Sequence, residues 1–237
     1  MVDHGKRYIE IKKLAEPGKV YTPAEAVGLA KKAATCKFDE TVELHLRMGL
    51  DPRNSAQVVR GVALMPAGLG KKVRVLVFAQ ADAERIAREA GADFVGADDL
   101  IAKINEGWTE FDIAIATPDM MGKVGKLGKA LGRKGLMPNP KAGTVVAAGD
   151  LPQTIKEARM GRVEFKLDRT AIIHVTLGKA SFEENALMEN LTSLMEAVVR
   201  AKPAGAKGQY IKSACLTTTM GPGFMLDLRP TMALAGA

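Results

Sequence analysis

Residues Gly122 to Lys141, GKVGKLGKALGRKGLMPNPK, hold six cationic side chains, five glycines, two prolines and no carboxylate. Lys123, Lys126, Lys129, Arg133, Lys134 and Lys141 therefore lack a local counter-charge, and the chemistry they offer is the binding of phosphate groups. Glycine at 122, 125, 128, 132 and 135 leaves the backbone N–H groups unshielded and predicts a mobile positive loop. Two well-known phosphate loops do not fit. A Walker loop needs a glycine five residues ahead of a Gly-Lys-Ser/Thr step, and Met120 and Lys123 stand at the places five before Gly125 and Gly128. No two of these glycines make the Gly-x-Gly that opens a dinucleotide fingerprint. Nucleic acid is the better partner on charge, and a solvated lysine-rich loop is the plain alternative.

Composition bounds the rest. A chain of 237 residues with 47% apolar side chains can bury the cores of one to two domains. A net charge of +7 is moderate, so the case for an anionic partner rests on clustering. At 5% aromatic content a base-stacking platform is not expected, and recognition through backbone, shape and hydroxyl contacts is. Cys36 and Cys215 are the only cysteines and form no CxxC, and His4, His45 and His174 lack close-spaced zinc partners. No metal, cofactor or membrane partner is expected, and the chain reads as cytoplasmic.

These side chains must be positioned by two kinds of strand. In Phe38 to Met48, FDETVELHLRM, alternation sets Phe38, Val42, Leu44, Leu46 and Met48 against Asp39, Thr41, Glu43, His45 and Arg47, as in a strand wet on one face. Arg162 to Leu167 repeats the design, and an Asp168-Arg169 turn into Ala171 to Leu177 predicts a hairpin. Val73 to Ala79 and Phe111 to Ala116 are continuously apolar, as in a parallel sheet covered on both faces. Between them Asp82 to Ala90 and Asp98 to Glu106 read as short helices around a strand at Phe94-Val95. Helices are also expected from Pro23, behind a Thr22 to Glu25 capping box, and over Phe182 to Arg200. A last strand runs from Tyr210 to Thr219, and the terminal PTMALAGA reads as a frayed tail.

The expected fold is therefore mixed α/β and α+β. Residues 1–67 and 160–237 would form a split α+β domain, and residues 68–159 an inserted Rossmann-like α/β domain. Gly68, Gly70 and Gly161 supply backbone freedom where either a hinge or a plain linker would need it.

MGKVGKLGKALGRKGLMPNPKAGTV, with TTTMGPG near the end and FDETVELHLRMGLDPR near the start, closely resembles the family of bacterial large-subunit ribosomal protein L-one. The resemblance runs from the first helix to the TMGPG turn. It implies a non-enzymatic RNA-binding component of the mobile stalk beside the ribosomal exit site, monomeric off the ribosome. Its implied partners are large-subunit ribosomal RNA, deacylated exit-site tRNA whose release it assists, and its own operon mRNA, which it represses. Two departures stand out: Gly132-Arg133-Lys134-Gly135 replaces the usual Gly-Pro-Arg-Gly, and LRPTMALAGA lacks a clear counterpart.

By the same resemblance the main RNA surface lies on the split domain, at Lys37, Phe38, Thr41, Glu43, Lys166, His174, Ser213, Thr217, Thr219, Met220 and Gly221. The hydroxyls suit ribose 2′-OH groups, Lys37 and Lys166 suit phosphates, and Gly221 would allow close backbone approach. Each residue also has a plainer role: Phe38 and Met220 in the core, the threonines as strand formers, His174 solvated in a hairpin. Two rival functions stay open on sequence alone. One is a nucleotide- or phosphometabolite-binding α/β protein using residues 122–141, and the other is a scaffold docking an acidic protein.

Overall fold

The computed structural model describes residues 5–236. The chain divides into two compact units, one built from the segment ending at Gly70 together with Val163 onward, the other from Lys71–Arg162. The divisions fall after residues 70 and 162 because the helix that closes the inner unit runs to Gly161.

The outer unit opens with α1 (Lys6–Lys12), α2 (Pro23–Ala33), β1 (Thr41–Met48) and β2 (Arg60–Leu64). The inner unit then runs β3 (Val75–Phe78), α3 (Asp82–Glu89), β4 (Phe94–Gly96), α4 (Asp98–Asn105), β5 (Ile113–Ala116), α5 (Met121–Val124), α6 (Gly128–Lys134) and α7 (Leu151–Gly161). The chain returns to the outer unit as β6 (Arg162–Lys166), β7 (Ile172–Lys179), α8 (Glu184–Arg200), β8 (Ile211–Thr218), β9 (Phe224–Leu226) and α9 (Leu228–Ala233).

The outer unit is organised by a four-stranded sheet in the order β7-β1-β8-β9, with each neighbouring pair antiparallel. Val42, Leu44, Leu46 and Met48 of β1 are buried while the residues between them are not, so one face meets the core and the other meets solvent. α2 and α8 cover the core face. Ala26, Ala30 and Ala33 let α2 lie close, and α8 presents Leu187, Leu191, Leu194 and Val198 at helical spacing. The Thr22 capping box forms: the Thr22 hydroxyl accepts from the Glu25 N–H at 3.4 Å, and the Glu25 carboxylate accepts from the Thr22 N–H at 3.0 Å.

The inner unit centres on a parallel sheet ordered β4-β3-β5. Leu76 and Phe78 of β3 enter one core and Val75 and Val77 another, which explains why the strand is apolar without a break.

Three expectations are corrected. Residues 118–134 are almost wholly helical, not a mobile loop: a 3₁₀ turn, α5, a second 3₁₀ turn and α6 follow without a gap. Met120, Val124, Leu127 and Leu131 recur at spacings of four, three and four and are all buried. Burying each such side chain contributes about 1.5–3 kcal/mol, while a glycine in a helix costs only about 1 kcal/mol relative to alanine, so packing overrides the glycines. Those glycines do not bare N–H groups as expected, because a helix spends its N–H groups internally. Helix α6 continues through Arg133 and Lys134 to a left-handed Gly135 cap, the place where proline would interrupt it.

The expected hairpin is reduced to a single bridge between Leu167 and Ile173, since β6 pairs with β2 instead of β7. Within its turn, Asp168 Oδ1 accepts from the N–H groups of Thr170 and Ile172.

The terminal segment is not frayed over its described residues. Asp227 caps α9 by accepting from the Arg229 N–H at 3.0 Å, Thr231 is fully buried, and Leu228, Met232 and Leu234 pack on the outer core. Deleting residues 228–237 is accordingly expected to cost about 2 kcal/mol or more, read as a lower urea midpoint; an unchanged midpoint would restore the frayed-tail reading.

Candidate nucleic-acid interface

The face of the outer sheet away from its helices carries most of the sequence-predicted residues. Antiparallel register arranges it in rows: Thr176, Glu43 and Thr217 in one, His174, His45, Cys215 and Met225 in the next, Ile172, Arg47 and Ser213 in a third. Thr41 and Thr219 stand at one end of this face, where the Thr219 hydroxyl accepts from the Thr41 N–H at 2.9 Å and the Thr41 carbonyl accepts from the Thr219 N–H at 3.0 Å. Lys179 donates to the Thr41 hydroxyl at 2.9 Å.

Two loops project at that end. Residues 36–38 precede β1 and Thr219-Met220-Gly221 follows β8, and both are fixed from beneath by Glu40. Its carboxylate is 1% exposed and accepts the N–H of Cys36 at 3.1 Å through one oxygen and the N–H of Met220 at 3.0 Å through the other. Arg7 of α1 ties the same loops from outside, donating to the Thr35 hydroxyl at 3.1 Å and to the Met220 carbonyl at 3.3 Å. Burial pushes the Glu40 pKa up, but the two N–H groups and the Thr218 hydroxyl outweigh it and hold the carboxyl below its ordinary value. The Thr218 hydroxyl is buried beside this carboxylate without a hydrogen-bond partner in normal geometry among the described residues.

The clamp settles several alternatives. Phe38 and Met220 are 53% and 49% exposed, so neither is a core residue. Strand alternation fails for Phe38 because β1 begins only at Thr41 and residues 36–38 bend away. Gly221 is required by internal packing, because a Cβ there would strike the Thr218 hydroxyl. Thr217 turns its hydroxyl inward to the Gly221 and Pro222 carbonyls at 3.4 and 3.3 Å, whereas the Ser213 hydroxyl has no partner among the described residues. Lys37 is exposed, as is Lys166, but Lys166 lies on β6 outside the four-stranded sheet. His174 is exposed and meets His45 across the strands with Nδ1 atoms 2.7 Å apart.

In the inner unit the six predicted cations do not act alike. Lys123 pairs with Asp98 at 2.8 Å and Lys134 donates to the Thr109 hydroxyl. Lys126, Lys129, Arg133 and Lys141 are exposed and have no side-chain partner among the described residues. Gly122, Gly125, Gly128 and Gly132 have open space where a Cβ would stand, and Gly125 and Gly128 have ordinary right-handed helical angles, so neither packing nor conformation demands glycine there.

Asp112, beside the entry to β5, locks Lys71 at 2.6 Å and Arg74 at 3.3 Å. A cavity of about 380 Å³ lies at the carboxyl ends of β3 and β5, where doubly wound folds hold nucleotides, but it is lined by Gln80, Thr117 and Asp119 among small apolar residues, with no cation. No group of three or more His, Cys, Asp or Glu side chains among the described residues could hold a metal ion, and His4 lies outside those residues.

With this geometry in view, residues 29–222 match the Ribosomal protein L1p/L10e family. The chain belongs to that family. It is 63% identical over 237 residues to the large ribosomal subunit protein uL1 of a Dehalococcoides mccartyi strain, covering 100% of both chains. It is 56% identical over 229 residues to the protein of the same name from Chloroflexus aggregans, covering 96% of this chain and 97% of the relative. The family is one of structural, non-enzymatic proteins. The C-terminal LRPTMALAGA falls within the first of these matches, so it does have a counterpart in relatives.

Sequence reasoning missed Glu40, Arg7 and His45 as parts of this region. Glu40 carried a signal: it shares the parity of Val42, Leu44 and Leu46, and a carboxylate on the apolar side of a strand demands partners. Arg7 carried none, because its partners lie 28 and 213 residues away.

Replacing Glu40 with Gln keeps one acceptor oxygen but sets the amide NH2 against the other of the two N–H donors, and is expected to cost about 1–3 kcal/mol in urea unfolding. The folded pKa lies below the unfolded one, so the wild-type contribution is full above about pH 4.3 and is lost as pH falls through the lowered folded value. Glu40→Gln should therefore flatten the acid limb of the stability profile; an unchanged limb would remove Glu40 from this role.

Proposed function

We propose that this protein is a structural constituent of the large ribosomal subunit in the cytoplasm, held there by ribosomal RNA bound to the wet face of its outer sheet. The observation that carries the reading is the pair Phe38 and Met220, large apolar side chains kept about half exposed on loops fixed by one buried carboxylate. Exposed apolar side chains on fixed loops beside hydroxyl and cationic groups suit nucleotides splayed from a folded RNA. The relatives' name, large ribosomal subunit protein uL1, supports the same assignment.

In this reading Lys37, Thr41, Glu43, Lys166, His174, Ser213 and Thr219 complete the outer surface, with Thr217 and Gly221 shaping its end. Glu43 accepts from hydroxyl or exocyclic amine groups, since it repels phosphate. Lys126, Lys129, Arg133 and Lys141 supply a second, phosphate-directed contact, toward the stalk RNA or the exit-site tRNA whose release the protein assists. The free protein binds a like structure in its own operon mRNA and represses its translation, and ribosomal RNA competes for the same face.

Motion of the inner unit would turn about residues 70–71 and 162–163. Gly68, Gly70 and Gly161 all have positive φ, at 74°, 69° and 116°. Gly68 is the least free of them: the buried Asn190 side chain donates to its carbonyl at 3.0 Å and accepts from the Ala67 N–H at 3.0 Å.

Binding of the full chain to a large-subunit stalk RNA fragment, against an unrelated RNA of equal length at two salt concentrations, tests the proposal. Thr219→Val, which removes a hydroxyl offered to a ribose 2′-OH, is expected to lower the preference for the stalk fragment by about tenfold, the loss of a hydrogen bond worth ~1–1.5 kcal/mol. Lys129→Ala is expected to weaken both RNAs alike and reduce the salt slope by about 0.7–0.9. Equal, salt-labile binding of both RNAs by the wild type would reduce the protein to a general polyanion binder.

The helical glycines give a separate check. Gly125→Ala should stabilise the inner unit by about 0.5–1 kcal/mol, because alanine fits the space and favours the helix. If that bare face lies against RNA, the same variant binds the stalk fragment more weakly; stabilisation with full affinity would place the RNA elsewhere.

A further inference from the structure

His45 and His174 stand directly opposite each other on β1 and β7, with rings 4.9 Å apart between centroids and Nδ1 atoms 2.7 Å apart. At that separation one Nδ1 must carry a hydrogen and the other must not. Each ring also turns its Nε2 toward a carboxylate: His45 toward Glu43 at 3.8 Å, His174 toward Asp168 at 3.6 Å. The result is a line of carboxylate, imidazole, imidazole and carboxylate across the middle of the candidate RNA face.

The two neutral arrangements are not equivalent. The His45 side chain is 26% exposed and that of His174 is 52% exposed. Burial, and then the charge of His174, push the His45 pKa down, against the charged form of that ring. Either neutral arrangement sets one Nε2 lone pair against a carboxylate, and water screens that contact better at the more exposed His174, so the hydrogen of His45 belongs on Nε2, facing Glu43, and its bare Nδ1 accepts from the His174 Nδ1–H. That leaves the His174 Nε2 lone pair facing Asp168, a contact repulsive until Nε2 gains a proton. Asp168 remains ionised because the Thr170 hydroxyl and the N–H groups of Ile172 and Thr170 hold its pKa down. One added proton, on His174 Nε2, therefore satisfies all four groups. A second would set two N–H groups against each other and break the bond.

The other groups on this face do not supply that proton. Glu43 and Arg47 are the charged neighbours on β1, Asp168 and Arg169 lie in the turn before β7, and Cys215 opposite His45 on β8 has its thiol pKa pushed up by burial. Thr176, Ser213, Thr217 and Met225 are neutral.

We propose that His45 is a positioning residue for His174, fixing its tautomer so that RNA bound to this face takes up one proton at His174 Nε2. The proposal rests on the RNA-binding reading of the outer sheet and deepens it. Phosphate brought to the face favours the protonated pair, so binding and proton uptake reinforce each other, as linkage requires.

The test measures affinity of the full chain for the stalk RNA fragment between pH 8 and pH 6, with His174→Gln, His45→Phe, His45→Asn and Thr219→Val compared under the same buffers. The wild type is expected to tighten as pH falls, by up to tenfold per unit. His174→Gln should lose that dependence. His45→Phe should lose most of it, whereas His45→Asn, whose amide oxygen can still accept from Nδ1–H, should restore part. Nitrogen-15 spectra of the free protein should show His174 as the Nδ1–H tautomer in the wild type and not in His45→Phe. A wild-type pH dependence equal to that of His174→Gln, while Thr219→Val still loses discrimination, overturns the proton linkage alone. If the histidine variants and Thr219→Val all bind like wild type at every pH, the face is not the RNA site and both readings fall.

Discussion

The outer surface depends on one carboxylate in the wrong place for a carboxylate. Glu40 occupies the apolar side of the chain just before β1, and its two oxygens take the N–H groups of Cys36 and Met220. An ion buried without such partners would cost several kcal/mol, so the loops are held by the penalty of letting go as much as by the bonds themselves. The two loops are 180 residues apart in sequence at Glu40 and Met220. Through this group they become a single edge, and the side chains they present, Phe38 and Met220, are exposed on loops held in place. Arg7 and the reciprocal Thr41–Thr219 bonds brace the same edge from other directions.

What the sequence could reveal follows from the range of each interaction. Alternation in Thr41 to Met48 and the unbroken apolar runs at Val75 to Phe78 and Ile113 to Ala116 are local signals, and the structure keeps them as one-face-wet and two-face-covered strands. The Thr22 capping box is local too, and it forms as read. The partner of β6 escapes local reading because strand pairing is a long-range choice: the turn after it predicts pairing with β7, but β2 is the strand it joins. The helical course of residues 118–134 was hidden by glycine content, although Met120, Val124, Leu127 and Leu131 already carried the period.

The site divides in the same way. Glu43, His174, Ser213 and Thr219 could be placed by strand parity once the family motifs were seen, and register brings them to one face. Lys166 could not be placed so simply, because it belongs to the other sheet. The packing demand at Gly221 is not legible locally either, because it comes from the Thr218 hydroxyl that a Cβ would strike. Alternation places His45 on the wet side of β1, but the pair it makes needs the register that sets it against His174. The contrast between the units is equally physical. The outer unit holds its surface groups through fixed, partly internal hydrogen bonds, while the inner unit offers charge on a helix whose glycines neither packing nor backbone geometry requires.

Amide hydrogen exchange of the full chain, free and with saturating stalk RNA fragment, tests the central claim most directly. Protection on binding is predicted over residues 36–47 and 213–221, the two stretches joined by Glu40, with weaker protection over 122–141. Protection confined to 122–141, or to the helices covering the opposite side of the sheet, would contradict the assignment of the RNA surface to the wet face of the outer unit.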